Sequence, residues 1–366
     1  MNDPISFTLH LTLRGPLFIG SGRKIGSKEY YYNEANKTVA IFDERKFQKL
    51  LVDRRLADHY ESYMLTPKTT LRSFVDNNGG FMWFRQAVSY TINNCKVLGE
   101  NGQTKELHTF VRDGNGNVYV PGSSIKGMLR TALTVARVLQ NTPPIRTTPP
   151  RPFTTDEKNT YLKGLEQTEH NLNAELFHTL RCETNQKSDA LNSIFRGLSV
   201  ADSAPINVEN LILCSQNLLS PGKDSAPKKL DMVRECLRPG TEIAVAFSID
   251  PTLAKSITKE SIQEAIKVFD NWYQKNVLAH YVGNWLSGQA EPWLFLGGGV
   301  GFQSKTVVEP WLGEKALDFT SAYLALTFLK DDHLADKHLG ISPRRLKYAN
   351  DGVCNQLFGL CEVELK

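Results

Sequence analysis

Residues Ile5 to Arg14 alternate between apolar side chains (Ile5, Phe7, Leu9, Leu11, Leu13) and polar ones (Ser6, Thr8, His10, Thr12, Arg14). A period of two over such a run suits a strand with one buried face, because successive side chains of a strand point to opposite sides. The chain must therefore build a sheet and something to cover it. The same alternation returns at Glu242 to Ile249, and the strongest helical pattern, Thr258 to Leu278, lies close behind it. There Ile262, Ala265, Ile266, Phe269, Trp272 and Tyr273 form one stripe, with a cap near Ser261.

Further elements follow the same logic. Short strands at about Glu29–Tyr32 and Thr38–Phe42 flank Asn33-Glu-Ala-Asn36 as a hairpin, and Asp43 is placed to cap a helix carrying Phe47, Leu50 and Leu51. Asn117 to Pro121 reads as a strand, and from Ile125 the apolar positions Met128, Leu129, Ala132, Leu133 and Ala136 recur at helical spacing. Lys126, Arg130 and Arg137 line the other face of that helix, and Ser123 or Ser124 would cap it. Thr142 to Pro152 holds five prolines and is expected as an extended loop. Strands are expected at Phe195–Ala201, Ile206–Cys214, Trp293–Leu296 and Gln356–Leu365, a polar loop at Ser215–Lys229, and a helix from about Thr320. Val307 to Pro310 reads as extended. Strands alternating with single helices give an α+β class: two sandwiches, each a helix layer on an antiparallel sheet. The boundary falls near Arg238-Pro-Gly240, separating residues 1–238 from residues 239–366.

At 366 residues, 41% hydrophobic and 22% charged, the chain can bury a core and is not disordered. Its formal charge of +4 is only mildly basic, so any nucleic-acid contact must come from local clusters. The six cysteines are scattered, with no zinc spacing and no disulfide framework. No window approaches 18 apolar residues and the start lacks a signal-peptide pattern, so a cytoplasmic protein without membrane contact is expected.

Three segments repeat one plan of strand, small-residue turn and basic residue: Ile19-Gly20-Ser21-Gly22-Arg23-Lys24, Pro121-Gly-Ser123-Ser124-Ile-Lys126, and Gly297-Gly298-Gly299-Val-Gly301 with Lys305. Glycine lets a backbone approach a ligand closely, and successive exposed N–H groups make an anion-binding concavity. At Ser123 the helix N-terminus adds partial positive charge, with Lys126 and Arg130 beside it. The plain alternative is a set of turns and one helix cap. A nucleotide pocket fails, since Ser304 stands where the Walker A pattern needs glycine. Arg344, Arg345 and Lys347 form another basic cluster, read equally well as a solvated loop. Tyr30, Tyr31, Tyr32 and Phe302 are candidates for base stacking or for core. His10, His178, His280, His333 and His338 show no partner for general-base work, and Asp331-Asp332 is a weak metal candidate. Neither a catalytic constellation nor a cofactor or metal site is expected.

The segments Gly-Pro-Leu-Phe-Ile-Gly-Ser-Gly (15–22), Val-Tyr-Val-Pro-Gly-Ser-Ser-Ile-Lys-Gly-Met-Leu-Arg (118–130) and Leu-Gly-Gly-Gly-Val-Gly-Phe-Gln-Ser-Lys-Thr (296–306) resemble the RAMP proteins of CRISPR systems. Their order, with the closing Gly340-Ile-Ser-Pro-Arg-Arg-Leu-Lys and Phe358-Gly-Leu-Cys-Glu-Val, is most similar to the fifth-subunit family of the type III-A Csm effector. Residues from about 140 to 190 carry no such motif and read as an insertion. The resemblance implies two ferredoxin-like (RRM-like) domains with loop insertions, residues 1–238 and 239–366. It implies a subunit without a nuclease centre that binds the 3′ part of the crRNA and caps the backbone filament. Its partners would be crRNA, the backbone and small subunits of the complex, and host nucleases during crRNA maturation. By this likeness Gly20, Ser21, Gly22, Lys24, Ser123, Ser124, Lys126, Arg130, Gly297, Gly298, Gly299, Gly301, Lys305, Arg344 and Arg345 are RNA or subunit contacts. The competing expectation is a RAMP-type, metal-independent endoribonuclease with a histidine base.

Overall fold

The alternating segment forms β1 (Ile5–Leu13), and Leu9, Leu11 and Leu13 on its apolar side are fully buried. The computed structural model describes residues 3–93, 95–99, 102–147, 158–182, 189–222, 228–283, 292–329, 331–350 and 355–366. In it β1 is the middle strand of a five-stranded sheet, between β10 (Glu242–Ile249) and β14 (Leu360–Leu365), with β7 (Leu198–Val200) and β11 (Trp293–Phe295) at the edges. Leu9 pairs with Val245 and Leu365, and Leu11 with Ile243 and Val363, so three strands present one apolar face. Helix α5 (Gly122–Gln140) meets this sheet through Met128 against Cys361. Helix α8 (Lys259–Asn276) brings Tyr273 to 4.7 Å from the Phe295 ring. Its cap is Thr258, with Ser261 three positions on answering from its own hydroxyl, a reciprocal box.

A six-stranded sheet runs in the order β13 (Asn355–Leu357), β12 (Leu346–Asn350), β8 (Leu211–Leu219), β9 (Lys228–Leu237), β6 (Glu106–Phe110), β2 (Gly20–Ile25). The polar loop expected at 215–229 is strand at both ends: β8 runs on to Leu219 and β9 starts at Lys228, while 223–227 lie outside the described residues. Both sheets take strands from each side of residue 238, and one continuous core joins them. A cut at that point therefore does not separate the sheets.

A smaller unit with its own core is inserted between β2 and β6. It holds β3 (Tyr30–Asn33), β4 (Thr38–Phe42) and β5 (Val88–Ile92), with α1 (Glu44–Asp53), α2 (Ala57–Leu65), α3 (Leu71–Asn77) and α4 (Phe81–Phe84). Asp43 caps α1, accepting from the Lys46 N–H at 2.9 Å. The unit is anchored by Glu235 of β9, a fully buried carboxylate. Glu235 accepts from the Tyr90 hydroxyl of β5, from the Phe110 N–H at 2.9 Å and from Arg112 at 3.3 Å.

Several local expectations change. Asn117 to Pro121 makes isolated bridges through Val118 instead of a strand. Residues 195–197 belong to a 3-10 turn ahead of β7, and 208–210 to another ahead of β8. Val308–Leu312 is a short helix, α9, because Pro310 sits in the first turn, where its missing N–H costs nothing. The remaining helices are α6 (Lys158–Phe177), α7 (Pro251–Ala254) and α10 (Ala316–Thr327). The proline-rich stretch is described to residue 147, and 148–157 lie outside the described residues. Five cysteines are free thiols; Cys354 lies outside the described residues.

Candidate nucleic-acid interface

The glycine run after β11 is stitched to the segment that leads into β2. The Gly298 N–H donates to the Phe18 carbonyl at 2.6 Å. Gly297, at φ +78, leaves no room for a side chain, since a β-carbon there would stand 2.3 Å from the same oxygen. Two of the three glycine-bearing segments, 20–24 and 297–301, thus come together. Beneath them lies Arg234 of β9, which nothing in the sequence pattern singled out. Its guanidinium is 5.0 Å from the Phe18 ring and 5.4 Å from the Phe358 ring, and donates to the Gln216 side chain. No carboxylate pairs with it among the described residues. Burial holds its pKa below the usual arginine value. A half-buried cation without an acid partner, next to a close-approaching backbone, suits an anionic ligand.

The 20–24 segment is an edge strand. Gly22 is open to solvent at φ +84, and Ser21 shares a 2.6 Å hydrogen bond with Thr109. Lys24 pairs with Glu106 at 3.2 Å, and Arg23 with Glu44 at 2.5 Å. Gly301 faces open space at φ +100, and exposed Lys305 lies in the turn that closes the loop, its N–H donating to the Phe302 carbonyl.

The start of α5 is organised differently from the sequence expectation. Pro121 occupies the cap position, and neither Ser123 nor Ser124 makes a capping bond. The Gly122 N–H donates to Asp202 at 2.7 Å, so a carboxylate already sits at the positive end of the helix. Gly122 itself is required by packing, since a β-carbon would lie 2.2 Å from the Val200 carbonyl oxygen. The Lys126 ammonium donates to the Leu198 carbonyl at 2.7 Å, and Arg130 stacks 4.4 Å from the Phe195 ring. Burial lowers the pKa of both.

Arg344 likewise has an internal task. It donates to the fully buried Asp336 at 3.0 Å and to the Asp332 carbonyl at 2.7 Å. Asp336 also accepts from Ser342 at 2.9 Å and holds His333 Nδ1 at 3.0 Å. Arg345 is half-buried beside it. Tyr30, Tyr31 and Tyr32 are core residues, and Phe302 packs near Tyr323. Among the described residues no group of three or more His, Cys, Asp or Glu could hold a metal, and no helix is long and apolar enough to cross a membrane.

A family model described as "RAMP superfamily" matches residues 10–307. A protein of Mycobacterium tuberculosis named "CRISPR system Cms protein Csm5" is 26% identical over 98% of this chain and 97% of its own. A protein of the same name from Streptococcus thermophilus is 26% identical over 84% of this chain and 81% of its own. Among solved structures, a chain of a Csm–crRNA–target RNA ternary complex of a type III-A CRISPR-Cas system matches with a TM-score of 0.62 at 18% identity, over 98% of this chain and 100% of that one. The crystal structure of T. onnurineus Csm5 matches with a TM-score of 0.59 at 17% identity, over 96% and 99%. These two structures share the fold with the present chain.

Proposed function

The chain belongs to the RAMP superfamily, and from that premise we propose that it is the Csm5-type subunit of a type III-A CRISPR interference complex. In this reading it binds the 3′ part of the crRNA, caps the backbone filament and supports crRNA maturation, in contact with the backbone and small subunits. It contributes no nuclease centre of its own. The architecture is read as two RAMP-type ferredoxin-like units whose strands are exchanged across the two larger sheets, with the 26–93 unit as an insertion.

The observation that carries the reading is the glycine loop held against Phe18 and over Arg234, a cation without a carboxylate partner among the described residues. Such a site grips a phosphate backbone without reading bases, so its binding should be salt-sensitive and tolerant of sequence. Relatives named "CRISPR system Cms protein Csm5", matched over most of their length, support the assignment to that subunit. The test is purification of the tagged protein from its host. Small RNA of uniform 5′ end and several RAMP partners should travel with it, and a protein recovered alone and free of RNA would refute the proposal.

A further inference from the structure

Five consecutive strands of the six-stranded sheet each place one polar side chain on a common face: Lys347 on β12, Gln216 on β8, Arg234 on β9, His108 on β6 and Lys24 on β2. The registers set them along a diagonal. Lys24 is paired with His108 and His108 with Arg234; Arg234 is paired with Cys214, two residues before the buried Gln216, and Lys347 with Leu218, two residues beyond it. Side-chain contacts agree, since Arg234 donates to Gln216 and both Lys24 and His108 reach Glu106, at 3.2 and 3.1 Å. With neighbouring strands about 4.8 Å apart and about 3.3 Å per residue along β8, the diagonal row spans about 23 Å.

Glu106 is the one carboxylate that pairs with any of these groups among the described residues. Like charges set side by side across a sheet are unfavourable. The cost is visible here: burial and then the Arg234 charge lower the pKa of Lys347, and burial, Lys24 and Arg234 lower that of His108, against Glu106. An anion lying along the row would relieve that repulsion. The row is one side chain wide, with the Phe18 and Phe358 rings beside Arg234, and a single line of cations fits a regularly charged polymer better than the broad apolar core of a protein contact.

We propose that this row is the track of a single-stranded RNA segment, whose phosphates cross the strands from Lys347 to Lys24 and pass the glycine loop at Arg234. The track rests on the RNA-binding reading above and extends it from a loop to a path. Recognition along it is of the backbone, so any sequence of single-stranded RNA should occupy it.

The test uses the full chain and a fluorescein-labelled single-stranded oligouridine, titrated at several salt concentrations. Lys347→Gln, Lys24→Gln and the double variant are compared with wild type after a thermal melt confirms folding. Each removed cation should lower the slope of log affinity against log salt by about one, and the double variant should bind at least tenfold more weakly. Unchanged affinity and slope in folded variants, beside a wild type that binds, would overturn the track while leaving the loop reading intact. Equal loss for an acidic peptide probe and none for RNA would assign the row to a protein partner and overturn it as well. A wild type that binds no RNA would overturn both readings.

Discussion

Gly299 and Arg234 occupy adjoining space: a β-carbon on Gly299 would stand 2.6 Å from Nη1 of Arg234. The loop therefore reaches the cation only because it has no side chain there. Gly299 also has φ +83, which L-residues rarely adopt.

Gly299→Ala should displace the loop or the guanidinium, reducing RNA affinity by at least tenfold and stability by about 1–3 kcal/mol. Gly301→Ala has comparable backbone strain at φ +100 but meets open space, so it should spare more of the affinity. Filter binding and urea melts of the two variants, side by side, check this.

Glu235 holds the inserted unit against the six-stranded sheet from a fully buried position. Removing its charge with Glu235→Gln leaves Arg112 and the Phe110 N–H poorly matched, and should cost about 3 kcal/mol or more. Tyr90→Phe removes one hydroxyl and should cost about 1–2 kcal/mol. Urea unfolding curves for the two would contradict this if both fell within error of wild type.

Lys126 and Arg130 are expected to matter for folding more than for RNA. Each has a partner inside the protein, the Leu198 carbonyl and the Phe195 ring. Lys126→Ala should cost about 1 kcal/mol of stability and leave the affinity of the folded fraction within twofold of wild type. A large affinity loss at unchanged stability would return the start of α5 to the binding surface.

These residues also show what the sequence concealed. β1, β10 and α8 were legible because each has a clean period and one buried face. The α5 start looked like a vacant anion site because its acceptors, Asp202 and the Leu198 carbonyl, lie 80 and 72 residues further along the chain. β9 was hidden because it carries charge on both faces: Arg234 on one, and on the other Glu235, whose Tyr90 partner is 145 positions away. Gln216 and Asn217 are buried in β8, and Gln216 accepts from Arg234, so polarity there sits inside the fold, which one sequence cannot distinguish from a loop. The glycine loop at 297–301 was legible as a close-approach turn; its neighbours Phe18 and Arg234 were not.

His108 should make RNA binding depend on pH. Burial, Lys24 and Arg234 lower its pKa, with Glu106 opposing, so in the free protein the neutral ring persists to a lower pH than for an ordinary histidine. A phosphate nearby raises that pKa, so binding takes up a proton and affinity should rise as pH falls through the range where the ring protonates. Affinity measured from pH 8 down to 5.5 should show this, and His108→Gln should flatten it.

Glu309 gives a stability profile with the opposite appearance to a salt-bridged acid. Burial pushes its carboxyl up to about 8, against a pull downward from Gln303. The folded state then holds a proton that the unfolded chain releases near pH 4.3, so stability is full below that value and falls as pH rises through about 8. Glu309→Gln should therefore be more stable than wild type at pH 8 and lose that advantage at pH 4. Thermal melts at the two pH values decide it.

The central claim is that the glycine loop and Arg234 hold guide RNA. Ultraviolet crosslinking of the purified, RNA-loaded complex, followed by mass spectrometry of this chain, tests it most directly. RNA should be attached to peptides spanning Gly297–Lys305 and to the β9 peptide containing Arg234. RNA attached elsewhere on the chain, with both of those peptides recovered unmodified, would contradict it.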